Sequence, residues 1–231
     1  MIKDLLKIIQ ESPKKKAIVF FSFYIIFFLI VLSILLFGKK DYTKAVDYEK
    51  GSATIYSANS LLKNNYAFIY TITIDDKVYQ YNGKKSEDSE LFKYLEKNYY
   101  RSGNDFYVFN EVWTKCENPY VYLEFLDFNN INHLMNLATH LSKTSYDSGK
   151  VTYNFLLSTN TIQKELYGVV SDFLEEPNQL IVSTDEKQNI NQITFLLDSY
   201  CILNNVCQNT LKIDIQYEQI GKIEKIDNPI V

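Results

Sequence analysis

The sequence predicts an α+β protein: an N-terminal transmembrane helix, then a mostly antiparallel β-sheet domain with two or three packed helices. Three observations predict it. Residues Ala17–Phe37 read AIVFFSFYIIFFLIVLSILLF without a single charge. Stretches beyond it, YAFIYTITI at Tyr66–Ile74 and Leu211–Glu218 above all, alternate side chains with the period of a strand. Between these, Asn130–Ser142 repeats apolar residues at helical spacing, and Ser158–Gly168 carries helix start and stop signals.

At about 1.5 Å per residue the uncharged run extends roughly 31 Å as a helix, close to the hydrocarbon thickness of a bilayer. A cleaved signal peptide has a shorter apolar core and a small-residue cleavage site. Here the run ends in Phe37-Gly38-Lys39-Lys40, and no Cys near residue 38 could accept a lipid. A soluble helix would show one wet side, which this run lacks. The expectation is an uncleaved, single-pass signal anchor whose partner through residues 17–37 is the lipid bilayer.

Before the span stand Lys3, Lys7, Lys14, Lys15 and Lys16 against Asp4 and Glu11; just after it come Lys39, Lys40 and Lys44, diluted by Asp41 and Asp47. The excess of lysine before the span places the N-terminus in the cytoplasm and the C-terminal bulk outside the cell membrane. Ile2, Leu5, Leu6 and Ile9 form one apolar stripe over Met1–Gln10, which reads as a short amphipathic helix on the inner leaflet or a docking helix for another membrane protein. The expected organisation is therefore a cytoplasmic segment 1–16, a span 17–37 and one extracytoplasmic β-rich domain 38–231. With 7 Gly, 4 Pro and no low-complexity stretch in the whole chain, no linker divides that domain.

Within the domain, Ala53–Ser57 reads as a first short strand. Tyr66–Ile74 turns at Asp75-Asp76 into Lys77–Tyr81, and Asn82-Gly83 reads as the close of that hairpin. Glu87–Lys97 is ambiguous, its Leu91, Tyr94 and Leu95 suggesting one or two helical turns. Asp105–Thr114 and Tyr120–Phe125 read as strands on either side of Glu117-Asn118-Pro119. The helix at Asn130–Ser142 follows from Ile131, Leu134, Met135, Ala138 and Leu141. Lys150–Leu157 returns to strand, and Ser158–Gly168 is a second helix, capped at Ser158 or Thr159 and ended by Gly168. The strands Leu180–Ser183, Ile190–Leu197, Leu211–Glu218 and Ile220–Ile226 complete the chain.

The order of elements in the second half, GKVTYNFLLS, the short helix TIQKELYG, then QLIVSTDEKQNINQITFLL and a last strand pair ending in IEKIDNP, resembles the bacterial lipoprotein-carrier-like domains. These are the half-barrels of lipoprotein chaperones and their mycobacterial glycolipid-binding relatives, and the resemblance covers Tyr66–Pro229. It implies a curved antiparallel sheet wrapping helices around an apolar cavity. Those proteins carry a cleaved signal or a lipidated Cys where this chain has a spanning anchor, so a shuttling carrier role does not transfer with the resemblance.

The candidate chemistry is sparse. Cys201 and Cys207 flank the loop Ile202–Val206 and could be joined by a disulfide in an oxidising compartment; the alternative is three independent thiols including Cys116. No His lies near the pair, so a closed zinc site lacks ligands. His133 and His140, seven residues apart on the expected helix, lie roughly 10 Å from each other, too far to share one metal ion. A Cys116–His nucleophile pair has no local signature. The acidic clusters at Glu87–Glu90, Glu175-Glu176 and Asp185-Glu186 read as solvated turns and lack a calcium-loop spacing.

Past the span the chain holds 19 basic against 26 acidic residues, and Arg101 is the sole arginine, so nucleic acid is not an expected partner. No cofactor is implied. Trp113, Tyr120 and Tyr122, with Tyr99 and Tyr100, remain open to two readings: lining a groove for an apolar ligand, or filling the concave side of the sheet. The leading function is a membrane-anchored extracytoplasmic domain binding a lipid or other apolar ligand in a half-barrel cavity. A structural or adaptor subunit of a cell-envelope complex competes with it, and an enzyme is the least supported reading.

Overall fold

Period-2 alternation becomes one antiparallel sheet in the computed structural model, which describes Phe21, Tyr24, Ile25, Phe27, Phe28, Glu49, Lys50, Leu61 and residues 64–170 and 177–230. The chain divides into two units, Met1–Val46 and Asp47–Val231. In the first, the described residues are helical and exposed. The rest of the expected span, the expected helix Met1–Gln10 and the expected strand Ala53–Ser57 lie outside the described residues. Among the described residues no helix is long and apolar enough to cross a membrane.

The strands are β1 (Glu49–Lys50), β2 (Asn65–Ile74), β3 (Lys77–Ser86), β4 (Ser89–Tyr94), β5 (Lys97–Ser102), β6 (Asp105–Asn110), β7 (Val112–Cys116), β8 (Thr139–Ser145), β9 (Val151–Leu157), β10 (Asn178–Thr184), β11 (Ile190–Leu196) and β12 (Leu211–Glu218). Their order in the sheet is β1-β8-β9-β10-β11-β12-β2-β3-β4-β5-β6-β7. Among residues 64–170 and 177–230, three helices accompany them: α1 (Phe128–Leu137), α2 (Thr159–Tyr167) and α3 (Asp198–Leu203). The α+β class with an antiparallel sheet and three helices stands.

The two clearest alternations in the sequence are neighbours at the centre. β12 pairs with β2 so that Ile213 faces Ile72, Ile215 faces Tyr70 and Tyr217 faces Phe68. All six side chains are buried in one apolar core, with Phe128, Ile131, Leu134 and Met135 of α1 and Ile162 of α2. Asp127 caps α1 by accepting from the backbone N–H groups of Asn129 and Asn130. Ser158 caps α2, and Gly168, at φ 67°, closes it.

Several expected elements take a different form. Asn82-Gly83 is not a turn: the hairpin turns only at Asp75-Asp76, and β3 runs on to Ser86. Gly83 is there for space, since a Cβ would sit 2.5 Å from the Phe92 Cβ and 2.7 Å from the Phe68 Cζ. Glu87–Lys97 is not helical but a hairpin, β4 and β5, whose turn holds Leu95 and Glu96 at φ 46° and 63°. Asp105–Thr114 breaks at Glu111, φ 64°, into β6 and β7.

Tyr120–Phe125 is not a strand; it is a loop ending in the 3-10 turn Leu123–Phe125. The first long helix stops at Leu137, so His140 and Leu141 belong to β8 rather than to a helix face shared with His133. Cys201 lies on α3 rather than at a strand end. The expected strand Ile220–Ile226 is an unpaired tail that folds back after Gly221, at φ 72°. In each case register and packing override a local preference that single residues had suggested.

Candidate functional site: an open groove on the outer face of the meander

Strands β2–β7 form an uninterrupted meander with two different faces. Toward the core point Phe68, Tyr70, Tyr81, Phe92 and Phe106, all buried. Tyr120 covers them from the following loop, stacked on Phe92 with ring centroids 4.5 Å apart. Its hydroxyl donates to Glu90 Oε2 at 3.1 Å, and Glu90 Oε1 accepts from Lys85 Nζ at 2.8 Å and from Arg101 Nη1 at 3.1 Å. Pairing explains the convergence, because Lys85 stands opposite Glu90 on β4 and Glu90 opposite Arg101 on β5. The Arg101 guanidinium also covers the Phe106 ring at 5.3 Å. The void beside this cluster is only about 10 Å³, room for one water at most.

The concave side is thus occupied by side chains. Tyr66, Tyr70 and Tyr217 have phenols held above their ordinary range, chiefly by burial. Tyr120 is raised by burial and by the Glu90 carboxylate it bonds. Tyr122 is half-buried, its ring edge-on to Phe125, and burial pushes its phenol up to about 12. Of the aromatic residues the sequence singles out, Tyr120 is core, Tyr122 flanks the core, and Trp113 stands elsewhere.

Trp113 lines an open groove of about 700 Å³ on the opposite face. Its walls are Ala67 of β2, Leu91 of β4, Phe109 of β6 and Trp113 of β7, with Ile223 of the tail. Phe109 faces Trp113 across the last hairpin, ring centroids 5.3 Å apart. Ile223 is held in place by Asn65, whose amide donates to the Ile223 carbonyl and accepts its N–H, both at 2.8 Å. Lys84 and Lys93 stand on the rim. Lys93 pairs with Glu96 at 2.7 Å in the open, and Lys84 has no carboxylate partner among the described residues. An apolar floor with ammonium groups on its edge suits a ligand with an apolar body and an anionic end.

Sequence reasoning missed Leu91, Phe109 and Ile223. The alternation of Leu91 and Lys93 against Phe92 and Tyr94 was present, but aromatic and leucine residues at i, i+3 and i+4 imitate a helix. The remaining candidates do not converge. Cys201 and Cys207 form a disulfide, their Cα atoms 5.4 Å apart. Cys116 is the free cysteine, with its thiol pushed up by burial. It sits on β7 at one end of the sheet, whereas His140 is on β8, near the other end. His133 contacts Glu165 of α2 at 2.7 Å, and that imidazole is the main reason Glu165 lies below the usual carboxylate range. Among the described residues no group of three or more His, Cys, Asp or Glu side chains could hold a metal ion.

No protein-family model matches the chain, and no curated protein matches it. Among solved structures, the crystal structure of LprF from Mycobacterium bovis is similar, with a TM-score of 0.45 and 9% identity over 77% of this chain and 95% of that chain. A likeness of that size assigns neither ligand nor partner.

Proposed function

We propose that this chain is a single-pass, membrane-anchored extracytoplasmic domain that binds a lipid-like ligand in the outer groove of its β-meander. The observation that carries the reading is the groove itself: an open apolar channel floored by Leu91, Phe109, Trp113 and Ile223 and edged by Lys84 and Lys93. The site differs from the cavity the resemblance implies, because the concave side is filled by the Tyr120–Phe92 stack and the Glu90 cluster. The uncharged run Ala17–Phe37 supports anchoring, and a tethered domain would meet its ligand at the bilayer surface.

Trp113 is the only tryptophan, so its fluorescence reports the groove directly. The full chain in liposomes, titrated with a brominated fatty acid, is expected to show saturable quenching that Leu91→Arg abolishes. Equal quenching of the wild type and the Leu91→Arg variant would overturn the reading. A reporter enzyme fused after Val231, active only outside the cytoplasm, tests the orientation.

The adaptor reading has one observation of its own. β7 ends the sheet with Val112 65% exposed beside Phe109, an edge able to receive a partner strand. Cross-linking in native membranes that captures an envelope protein through Val112 would favour it.

A further inference from the structure

Resting on the anchored reading above and going beyond it, we propose that one end of the sheet seats on the surface of a lipid bilayer through the hairpin tips that carry Val78, Leu95 and Val112.

Antiparallel pairing gathers those tips. Leu211 stands opposite Ile74, so β12 begins where β2 ends, at the β2–β3 turn beside Val78. The β4–β5 turn at Leu95 and the β6–β7 turn at Glu111 lie at that same end, each two strands further along the meander. With neighbouring strands about 4.8 Å apart, successive tips follow at intervals of about 10 Å. Val78, Leu95, Phe109 and Val112 are all exposed there; among the described strands and hairpin turns, Tyr146 is the one exposed large apolar residue at the opposite end. Ile202 of α3, between β11 and β12, adds to the first end. Single exposed apolar side chains are ordinary on any surface, but their gathering at one end is not.

Leu95 is placed unfavourably twice over. It is 73% exposed, and at φ 46° it shares with Glu96 a tight turn whose positive φ values favour Asn and Gly. A leucine held there gains nothing from the core, so what stabilises it lies outside the chain. The end is also stiff. The Asp75 carboxylate accepts the N–H groups of Gln208, Asn209 and Thr210, fastening the β2–β3 turn to the segment before β12, and the Cys201–Cys207 disulfide ties that segment to α3. Apolar tips fixed in advance lose little further freedom on entering an apolar phase.

Reach and charge select a bilayer as the occupant. Eleven residues, 38–48, separate the uncharged run from β1, and they extend at most about 40 Å. β1 pairs with Thr139 and His140 at the start of β8, which the ladder places at this same end. Around the tips Asp76, Glu96 and Glu111 are matched by Lys77, Lys93 and Lys97, all exposed, so these charges cancel and oppose no headgroup. They also limit entry to interfacial depth, with the apolar tips among the upper acyl chains and the lysine stems reaching back to the headgroups. Phe109 belongs both to this end and to the wall of the apolar groove, so the groove opens beside the bilayer.

The test uses the full chain with Cys116→Ser, which leaves the disulfide intact, in phosphatidylcholine liposomes. Leu95→Cys, or Ser148→Cys as an exposed control at the opposite end, carries an environment-sensitive fluorophore, and lipids with a nitroxide near the headgroup or near the chain end act as quenchers. Quenching at position 95 is expected to exceed that at position 148 by about threefold, and to be stronger from the nitroxide near the headgroup.

Leu95→Asn, read through a label introduced by Val78→Cys, separates docking from packing. Asn suits the left-handed turn, so this change should raise the melting temperature by about 2 °C while quenching at position 78 falls about twofold. A lower melting temperature or unchanged quenching at position 78 would overturn the inference. A chain that alkaline carbonate strips from the liposomes overturns the anchored reading and this inference with it. A chain that stays, with position 95 quenched no more than position 148, overturns this inference alone.

Discussion

The two halves of the sheet share one antiparallel ladder and bury it by different means. In β8–β12 the inner face is largely aliphatic, with Leu157, Leu180, Val182, Ile193, Ile213 and Ile215 lying in a core completed by α1–α3. In β2–β7 the cover among the described residues is chiefly the loop that carries Tyr120. There the inner face uses large rings, Phe68, Tyr70, Tyr81 and Phe92, and an ion cluster centred on Glu90. Aromatic side chains reach further and bury more area each, so a thin cover suffices. The outer face of this half lacks a helix cover among the described residues, and that is why its groove is open.

Alkaline pH breaks the comparison most sharply. Tyr66, Tyr70, Tyr120 and Tyr217 are raised from an ordinary value of 10.0, chiefly by burial. Above pH 10 the unfolded chain loses these protons while the folded chain keeps them. The contribution is fully present below pH 10 and is lost as pH rises, by about 1.4 kcal/mol per pH unit for each phenol, or about 6 kcal/mol for the four at pH 11. Phenolate absorbance followed with circular dichroism should show these tyrosines ionising only as the structure unfolds.

Glu90→Ala comes next. It leaves Lys85 and Arg101 half-buried with no carboxylate between them, and urea unfolding should show a loss of about 3–5 kcal/mol. Gly83→Ala forces a methyl group against Phe92, Phe68 and the Leu91 carbonyl, with an expected cost of about 3 kcal/mol by the same measurement. The smallest of these effects belongs to the helical half. Replacing Cys201 and Cys207 with Ser reopens a loop of sequence separation 6, for about 2 kcal/mol. A larger loss for the disulfide than for Glu90 would reverse the view that the meander is the half held by few, strong contacts.

Legibility followed the same division. Leu211–Glu218 reads as a strand from its alternation alone, and Ser158 and Gly168 announce α2 by their capping chemistry. These signals are local and their faces differ strongly in polarity. The meander conceals itself. Leu95 and Glu96 make a tight turn with positive φ in residues that seldom adopt it, and Gly83 looks like a turn residue while serving as a space between rings. Trp113 was legible as a candidate; its groove was not, because Ala67, Leu91 and Ile223 reach it only through strand pairing and a folded-back tail.

By itself, the sequence determined the fold class of the β-rich unit, the central pair of strands and two helices. All of these rest on periodicity or capping within one segment. Only the tertiary structure decided which face of the meander stays open, that Glu90 gathers Lys85, Arg101 and Tyr120, and that the Ile223 tail closes one wall of the groove. Those facts depend on register between strands distant in the chain, and a shift of one residue would send every side chain to the other face.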